Sequence, residues 1–457
     1  MDLIRVVSLI SVLSLASVVP YSEIETGISS AYDSVAVDSW YESGEDWDIE
    51  KDKEKGPGFM YSSDSDLYIV GETDKNPMTY EVGETMTFTL AAYVEGKVMD
   101  IQYFQYRLYA DDGTHSSGLL EASDGTATIT ASCSVPGFVH LKVSPCDADM
   151  NEIRGDNIIP FEGGACAGFG RITKTMPEPE DFDAFWKEQL SLLDGVPCNA
   201  SRFTEYTNHK YTDYTVYDVS IPCIEGSTPV SGYVCVPKNA SPGSLKIRVI
   251  YMGYSVAPAV IRPVPGYITF CINPHGIDNG MYDLYYKLLE ANELSNFGFY
   301  NNEVPQDSYF RNMILRDIHG VRYIKEAFKY YWNGKDLELQ GASMGAFQSA
   351  AVASLIPDDI TKVTLEIPWM CDLGSENYGR LGGWRPKYCQ GLGYYDTVSF
   401  GKRIKAPTEI IAGLGDYTCP PSGVSVLYSN LMCQKKITFT QNMTHEKAPV
   451  LKLSYSH

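Results

Sequence analysis

The sequence predicts an α/β protein, a mostly parallel sheet covered by helices on both faces, preceded by a small antiparallel β-sandwich. Short apolar runs such as SGYVCVP, IRVIYMG, YITFCINP, LELQGAS, KVTLEIP, PTEIIAGLGD and KITFTQN follow one another from residue 165 onward. Between them lie stretches with apolar residues at helical spacing, YFRNMILRDIHGVRYIKEAFKYY among them. Strands that are apolar throughout, separated by amphipathic helices, belong to a sheet buried on both faces. From residue 67 to 160 the rhythm differs. MTFTLAAYVEG, IQYFQYRLYAD, GTATITASCSV and GFVHLKVSPCD come close to strict alternation and are separated by Asp112-Gly113, Asp124-Gly125 and Pro136-Gly137. Alternation broken by such turn pairs predicts an Ig-like sandwich. Finally, 457 residues are enough for two or three domains.

Taken in chain order, Arg5 precedes an uncharged apolar run from Val6 to Val19. That run is too short to cross a bilayer as a helix, so residues 1–20 are expected to be a signal peptide and the protein secreted or periplasmic. The first cysteine is Cys133, which argues against a lipid anchor. Residues 21–66 are polar and acidic and predict a disordered linker. The sandwich holds no cluster of titratable groups of catalytic character. A structural spacer is the preferred reading over a carbohydrate-binding module. The catalytic region is expected to span residues 165–457, opened by the helix PEPEDFDAFWKEQLSLLDGV.

A net charge of −22 excludes a nucleic-acid partner, which would need a basic footprint, and disfavours anionic membranes. No later segment is long and apolar enough to insert into a membrane. The eleven cysteines show neither CxxC nor metal-ligand spacing, so no metal is expected. An oxidising compartment would let some of them pair, and Cys133 and Cys146 are close enough in sequence to be candidates.

The chemistry centres on Gly341-Ala342-Ser343-Met344-Gly345. A strand, LELQ, runs into this pentad and an alanine-rich helix, AFQSAAVASL, leaves it. Two small flanking residues let a strained turn expose a serine hydroxyl while the helix start offers an N–H to an oxyanion; a serine that merely capped a helix would need neither glycine. A serine nucleophile needs a base, held by a carboxylate, in the order Ser, acid, His. Asp416 follows the strand PTEIIAGLG and His445 follows KITFTQN, so both fall at the edge of the sheet where Ser343 lies. His115, His140, His209, His319 and His457 are more simply surface or packing residues, and His275 precedes the serine. Asp372 and Asp396 are rival acids. The second oxyanion donor is expected from the loop after IRVIYMG, as the N–H of Tyr254 beside that of Met344.

The residues PEPEDFDAFWKEQL, GYVCVPKNASPGSLKIRVIYMGY, LQGASMGAFQSAAVASL, EIPWMCDL and LGYYDTVSFGKRIKAPTEIIAGLGDYTCPPS resemble the acetyl xylan esterase and cephalosporin C deacetylase family of carbohydrate esterases, from about residue 177 to 445. The resemblance implies an α/β-hydrolase fold, a serine esterase removing acetyl groups from acetylated carbohydrate or small acetyl esters, and no cofactor. It implies Ser343, Asp416 and His445 as the triad and Tyr254 with Met344 as the oxyanion pair, and it leaves a homo-oligomer open. Three departures stand out. Met344 replaces the family's glutamine, His275-Gly276-Ile277-Asp278-Asn279-Gly280 replaces an Arg-Gly-Gln-Gly element, and the family's final helix is expected to be short or missing. The alternatives are a prolyl-oligopeptidase-like serine peptidase, for which no repeated propeller blades are present, and a non-catalytic glycan-binding protein on a degenerate hydrolase.

Overall fold

The structure, a computed structural model, describes residues 66–155, 157–446 and 452–457. The expected signal peptide and nearly all of the acidic linker lie outside the described residues.

The first nine strands are β1 (Leu67–Thr73), β2 (Met86–Val94), β3 (Lys97–Val98), β4 (Tyr103–Ala110), β5 (His115–Glu121), β6 (Thr126–Ala131), β7 (Gly137–Cys146), β8 (Ile158–Ile159) and β9 (Phe161–Ala167). They make two sheets. One runs β3-β2-β1-β8 with β6 also on β2, the other β5-β4-β7-β9. Ile69, Phe88, Leu90, Phe104, Leu108, Val139, Leu141 and Phe161 pack between them. The four runs read from alternation correspond to β2, β4, β6 and β7. The sheet also continues past residue 160, because FEGGACA pairs with β7 as β9.

On β7 the alternation has a second use. Val139, Leu141 and Val143 enter the core between the two small sheets, whereas Phe138 belongs to the main core of the molecule. Since successive side chains point to opposite faces, the β5-β4-β7-β9 sheet is packed on both sides at this point. One of its faces rests on the larger sheet region.

That larger sheet has ten strands: β10 (Arg202–Glu205), β11 (Tyr214–Ile221), β12 (Val230–Pro237), β13 (Leu245–Tyr251), β14 (Tyr267–Asn273), β15 (Trp332–Ala342), β16 (Lys362–Glu366), β17 (Thr408–Gly413), β18 (Lys435–Thr440) and β19 (Ser454–Ser456). Their order is β10-β11-β12-β14-β13-β15-β16-β17-β18-β19. The strands from β14 to β18 in that order are parallel. Those outside them are antiparallel. Helices α1 (Phe182–Ser191), α2 (Asp283–Ala291), α3 (Tyr309–Ala327), α4 (Met344–Leu355), α5 (Thr397–Gly401) and α6 (Pro421–Asn430) accompany it. Residues 344–354 of α4 are all buried. A helix apolar on every side has no face to give to water, so it lies in the interior against the sheet. This is the α/β-hydrolase architecture.

Two further findings qualify the sequence reading. All eleven cysteines are free thiols, Cys133 and Cys146 included. Cys133 lies just before β7 and Cys146 ends it, so ten extended residues at about 3.3 Å each hold the two thiols apart. After His445 the chain returns as β19, which pairs antiparallel with β18 through Thr440 and Ser454. The described residues include no helix long and apolar enough to cross a membrane.

Candidate active site

The site is built where β15 meets α4. Ser343 sits between them at φ 55° and ψ −118°, a region that costs a non-glycine residue about 1–3 kcal/mol unless its surroundings hold it. The surroundings do. The Ser343 N–H donates to the Glu366 carbonyl on β16 at 2.9 Å. The Ser343 carbonyl in turn accepts from Ala346, Phe347 and Trp369. The two glycines are sterically required. A methyl group at Gly341 would run into the backbone of Gly345, and one at Gly345 into the Tyr251 carbonyl. Glycine at both positions therefore lets the start of α4 close down on the ends of β13 and β15, with Ser343 on the turn between strand and helix.

Asp416 and His445 arrive from β17 and β18, the second and third strands beyond β15 in the sheet. Asp416 stands three residues past β17 and is almost fully buried. Its Oδ1 accepts from the amides of Thr418 at 3.0 Å and Cys419 at 2.8 Å, and its Oδ2 faces His445 Nδ1 at 2.9 Å. The carboxylate can only accept, so Nδ1 carries the proton and Nε2 is left as the basic atom. Burial alone would push the His445 imidazolium toward deprotonation. The Asp416 charge and hydrogen bond, with Glu446 adding, outweigh it and raise the pKa above its ordinary value.

Cys419 is a neighbour that the sequence reading did not single out. Burial, with the Asp416 charge adding, raises the pKa of its thiol and keeps it protonated. A carboxylate oxygen of Asp416, Cys419 Sγ and a His445 ring nitrogen all lie within 4.8 Å of one another. The carboxylate and imidazole are already bonded to each other, and the thiol is held neutral. This trio is therefore arranged for proton handling; a metal would have to displace that bond and strip the thiol of its proton.

The expected oxyanion donors come from the start of α4 and from the loop after β13. Met344 is the first residue of α4, so its N–H has no intrahelical acceptor. Tyr254 follows β13 in the adjoining loop. Its ring stacks on Phe297 with centroids 3.9 Å apart, and its hydroxyl donates to the Phe297 carbonyl at 2.7 Å. The side chain is thus committed to packing, and burial raises its pKa. Trp384 lies edge-on to Tyr254 at 4.6 Å and stacks on Trp369 at 5.7 Å, yet keeps 36% of its surface exposed.

The rivals have other partners. His275 is buried, with Nε2 on the Ser255 carbonyl at 2.8 Å and Nδ1 on the Tyr309 hydroxyl at 2.7 Å. His319 is buried within α3. Asp396 caps α5 through the Val398 amide and pairs with Lys174 at 2.9 Å. Asp372 accepts from Thr175 and pairs with Arg380 at 2.9 Å.

A strand, a glycine-bounded turn holding serine at positive φ and a buried helix, with an aspartate–histidine pair past the ends of β17 and β18, define a hydrolase of the α/β class. A family model described as acetyl xylan esterase (AXE1) matches residues 171–376 and 386–455, well over half of the chain. The chain belongs to that family, and it is a carboxylic ester hydrolase. It is similar to the acetyl esterase Axe7A of Xylanibacter ruminicola, 23% identical over 351 residues, which cover 72% of this chain and 76% of that protein. Among solved structures it is similar to the acetyl xylan esterase from Paenibacillus sp. R4, with a TM-score of 0.49 and 21% identity over 62% of this chain and 94% of that one. It is also similar to acetyl xylan esterase 1 from Thermoanaerobacterium sp. JW/SL YS485, with a TM-score of 0.47 and 19% identity over 61% and 93% of the two chains.

Proposed function

We propose that this chain is an exported serine esterase that removes acetyl groups from acetylated carbohydrate through an acyl-enzyme, with Ser343 as nucleophile, His445 as general base and Asp416 as the group that orients it. The reading is carried by one observation above the rest: Ser343 at φ 55°, ψ −118° on a turn whose neighbouring strand ends hold an Asp416–His445 bond of 2.9 Å. Membership of the acetyl xylan esterase family supports the acyl group.

In the reaction, His445 Nε2 takes the Ser343 proton as Oγ attacks the acetyl carbonyl carbon. The negative charge that develops on the carbonyl oxygen is received by the Met344 and Tyr254 amides. Collapse breaks the bond to the sugar oxygen, which leaves with the proton from His445. Water then enters, gives a proton to His445 and attacks the acetyl-serine; collapse breaks the bond to Ser343 Oγ, which takes the proton back from His445 as acetate leaves. Asp416 keeps its charge throughout. It lowers the cost of the imidazolium that forms twice in each turnover. Trp384, exposed beside Tyr254, supplies an apolar face for the sugar ring of the leaving group.

The test is Ser343→Ala in the purified chain, with p-nitrophenyl acetate and acetylated xylo-oligosaccharides as substrates and Pro-containing peptides as the competing class. Turnover of the esters is expected to fall by about 10⁴-fold or more with the melting temperature retained. An active Ser343→Ala enzyme removes the serine from its role, and peptide cleavage exceeding ester cleavage removes the substrate assignment.

A further inference from the structure

The β-sandwich reads from sequence as a spacer, yet it touches the residues around Asp416 and His445 more closely than a spacer requires. The contacts converge from β7 and β9. The Glu162 amide donates to Asn442 Oδ1 at 2.7 Å, and Gly164 exchanges two hydrogen bonds with the Gln441 side chain, at 3.0 and 2.7 Å. Gln441 and Asn442 are the first residues after β18, on the way to His445. On the other loop, a methyl group at Gly415 would run into the Glu162 carbonyl, so β9 lies directly against the residue before Asp416. The residue after it, Tyr417, has its ring stacked on His140 with centroids 3.5 Å apart and planes 12° from parallel.

His140 is itself fixed. It is buried, and its Nε2 bonds Glu162 Oε1 at 2.9 Å, which also pairs with Lys142 at 2.8 Å. The Tyr417 hydroxyl is shielded and has no hydrogen-bond partner among the described residues, so the ring is held by stacking. The acid loop has a third tie. Asp111 at the end of β4 accepts from Phe138 at 2.8 Å and from Leu381 at 2.9 Å, while Trp384 donates through its amide to the Thr418 carbonyl.

We propose that the β-sandwich is part of the catalytic apparatus: His140, held by Glu162, is a positioning residue that clamps Tyr417 and so fixes the turn presenting Asp416 to His445. The idea rests on the triad reading above. The chemistry is mechanical and electrostatic. A carboxylate that drifts from His445 Nδ1 lets the imidazole rotate and weakens its support of the imidazolium. A misplacement of the order of 1 Å costs about 100-fold in rate. Of the charged groups that face His445, Asp416 and Glu446, the clamp touches only the loop of the first. Those that face His140 are Glu162, Lys142 and Asp416.

The experiment measures kcat, KM and the pH dependence of kcat/KM on p-nitrophenyl acetate for His140→Ala and His140→Phe in the full chain. His140→Ala is expected to lower kcat by about 10- to 100-fold with KM within about twofold. It should also move the acid limb of kcat/KM to lower pH, since His445 loses part of what raises its pKa. His140→Phe, which keeps a ring over Tyr417, recovers most of both. A core variant within the sandwich, Leu108→Ala, lowers the melting temperature and leaves the limb in place. Tyr417→Leu, which removes the stacked ring, should reproduce His140→Ala, a second route should His140→Ala fail to fold. Wild-type kcat and acid limb in Tyr417→Leu or His140→Ala overturn the proposal, as does a His140→Ala profile that matches Leu108→Ala. Ser343→Ala, measured alongside, separates the two failures. If it is dead and His140→Ala is unchanged, only the clamp falls; if it is active, the triad itself falls.

Discussion

The two sheet regions of this molecule treat glycine and strain in opposite ways. In the ten-stranded sheet the glycines that matter, Gly341 and Gly345, stand at a strand end, where they let α4 close onto β13 and force Ser343 into positive φ. In the smaller sheets Gly71 leaves room in the middle of β1 for the ring of Phe161, and Gly163 and Gly164 leave room in β9 for Gln441 and for the Val139 carbonyl. The first use creates a strained turn for chemistry; the second makes flat backbone surfaces that other parts of the chain rest on. A glycine's meaning therefore depends on whether the close approach it permits is at the end of a strand or along it.

The largest effect expected from probing this contrast is Asp416→Asn, which leaves both sheets intact and should lower kcat by about 10³- to 10⁴-fold. It also tests the pH behaviour. The proposed mechanism needs His445 neutral and Asp416 raises the pKa of that histidine, so activity should fall as the pH drops through a midpoint above the ordinary imidazole value of about 6.5. Stability runs the other way. The contribution of the protonated pair is fully present below the unfolded-state pKa and is lost as pH rises through the folded one. In Asp416→Asn the acid limb should move to lower pH; a limb that stays put would detach Asp416 from His445.

A matched pair of methyl additions comes next. Gly345→Ala meets the Tyr251 carbonyl and Gly71→Ala meets the ring of Phe161. Both should cost about 1–3 kcal/mol of stability by overpacking. Only Gly345→Ala should also lower kcat/KM, by about 100-fold, because only there does the displaced backbone carry the serine. Equal activities for the two variants in steady-state assays would erase the distinction drawn between the regions.

The smallest expected effect is Trp384→Ala. Loss of a ring contact worth about 1 kcal/mol should raise KM about fivefold for an acetylated oligosaccharide and leave p-nitrophenyl acetate little changed. The same rise on both substrates would deny the tryptophan a role toward the sugar.

Much of the larger sheet was legible because its signals are local. Each of the seven apolar runs is a strand, and GASMG carries its turn in five residues. Ser343, Asp416 and His445 were chosen by chain order and strand-end position, and the parallel sheet brings the Asp416 and His445 side chains into hydrogen-bond contact. What stayed hidden depends on distant partners. FEGGACA lacks alternation because two of its seven residues have no side chain, and its pairing with β7 is not written in either segment alone. HSSGLLE is an exposed edge strand with few apolar residues to betray it. Cys133 and Cys146 were paired by sequence distance, which ignores that an extended strand carries its two ends apart. His140 looked like a packing residue, and it is one; its significance comes from Tyr417, which is 277 positions later. Cys419 escaped notice because a thiol beside an aspartate–histidine pair has no spacing signature.

The pairing of β19 with β18 has a practical bearing on handling this enzyme. The residues from 454 to 456 hold the far side of the hairpin whose near side leads into His445. Anything that tugs on that short strand pulls, through β18, on the segment that carries His445. A preparation with normal melting behaviour but poor turnover should first be checked by mass for intact residues 452–457.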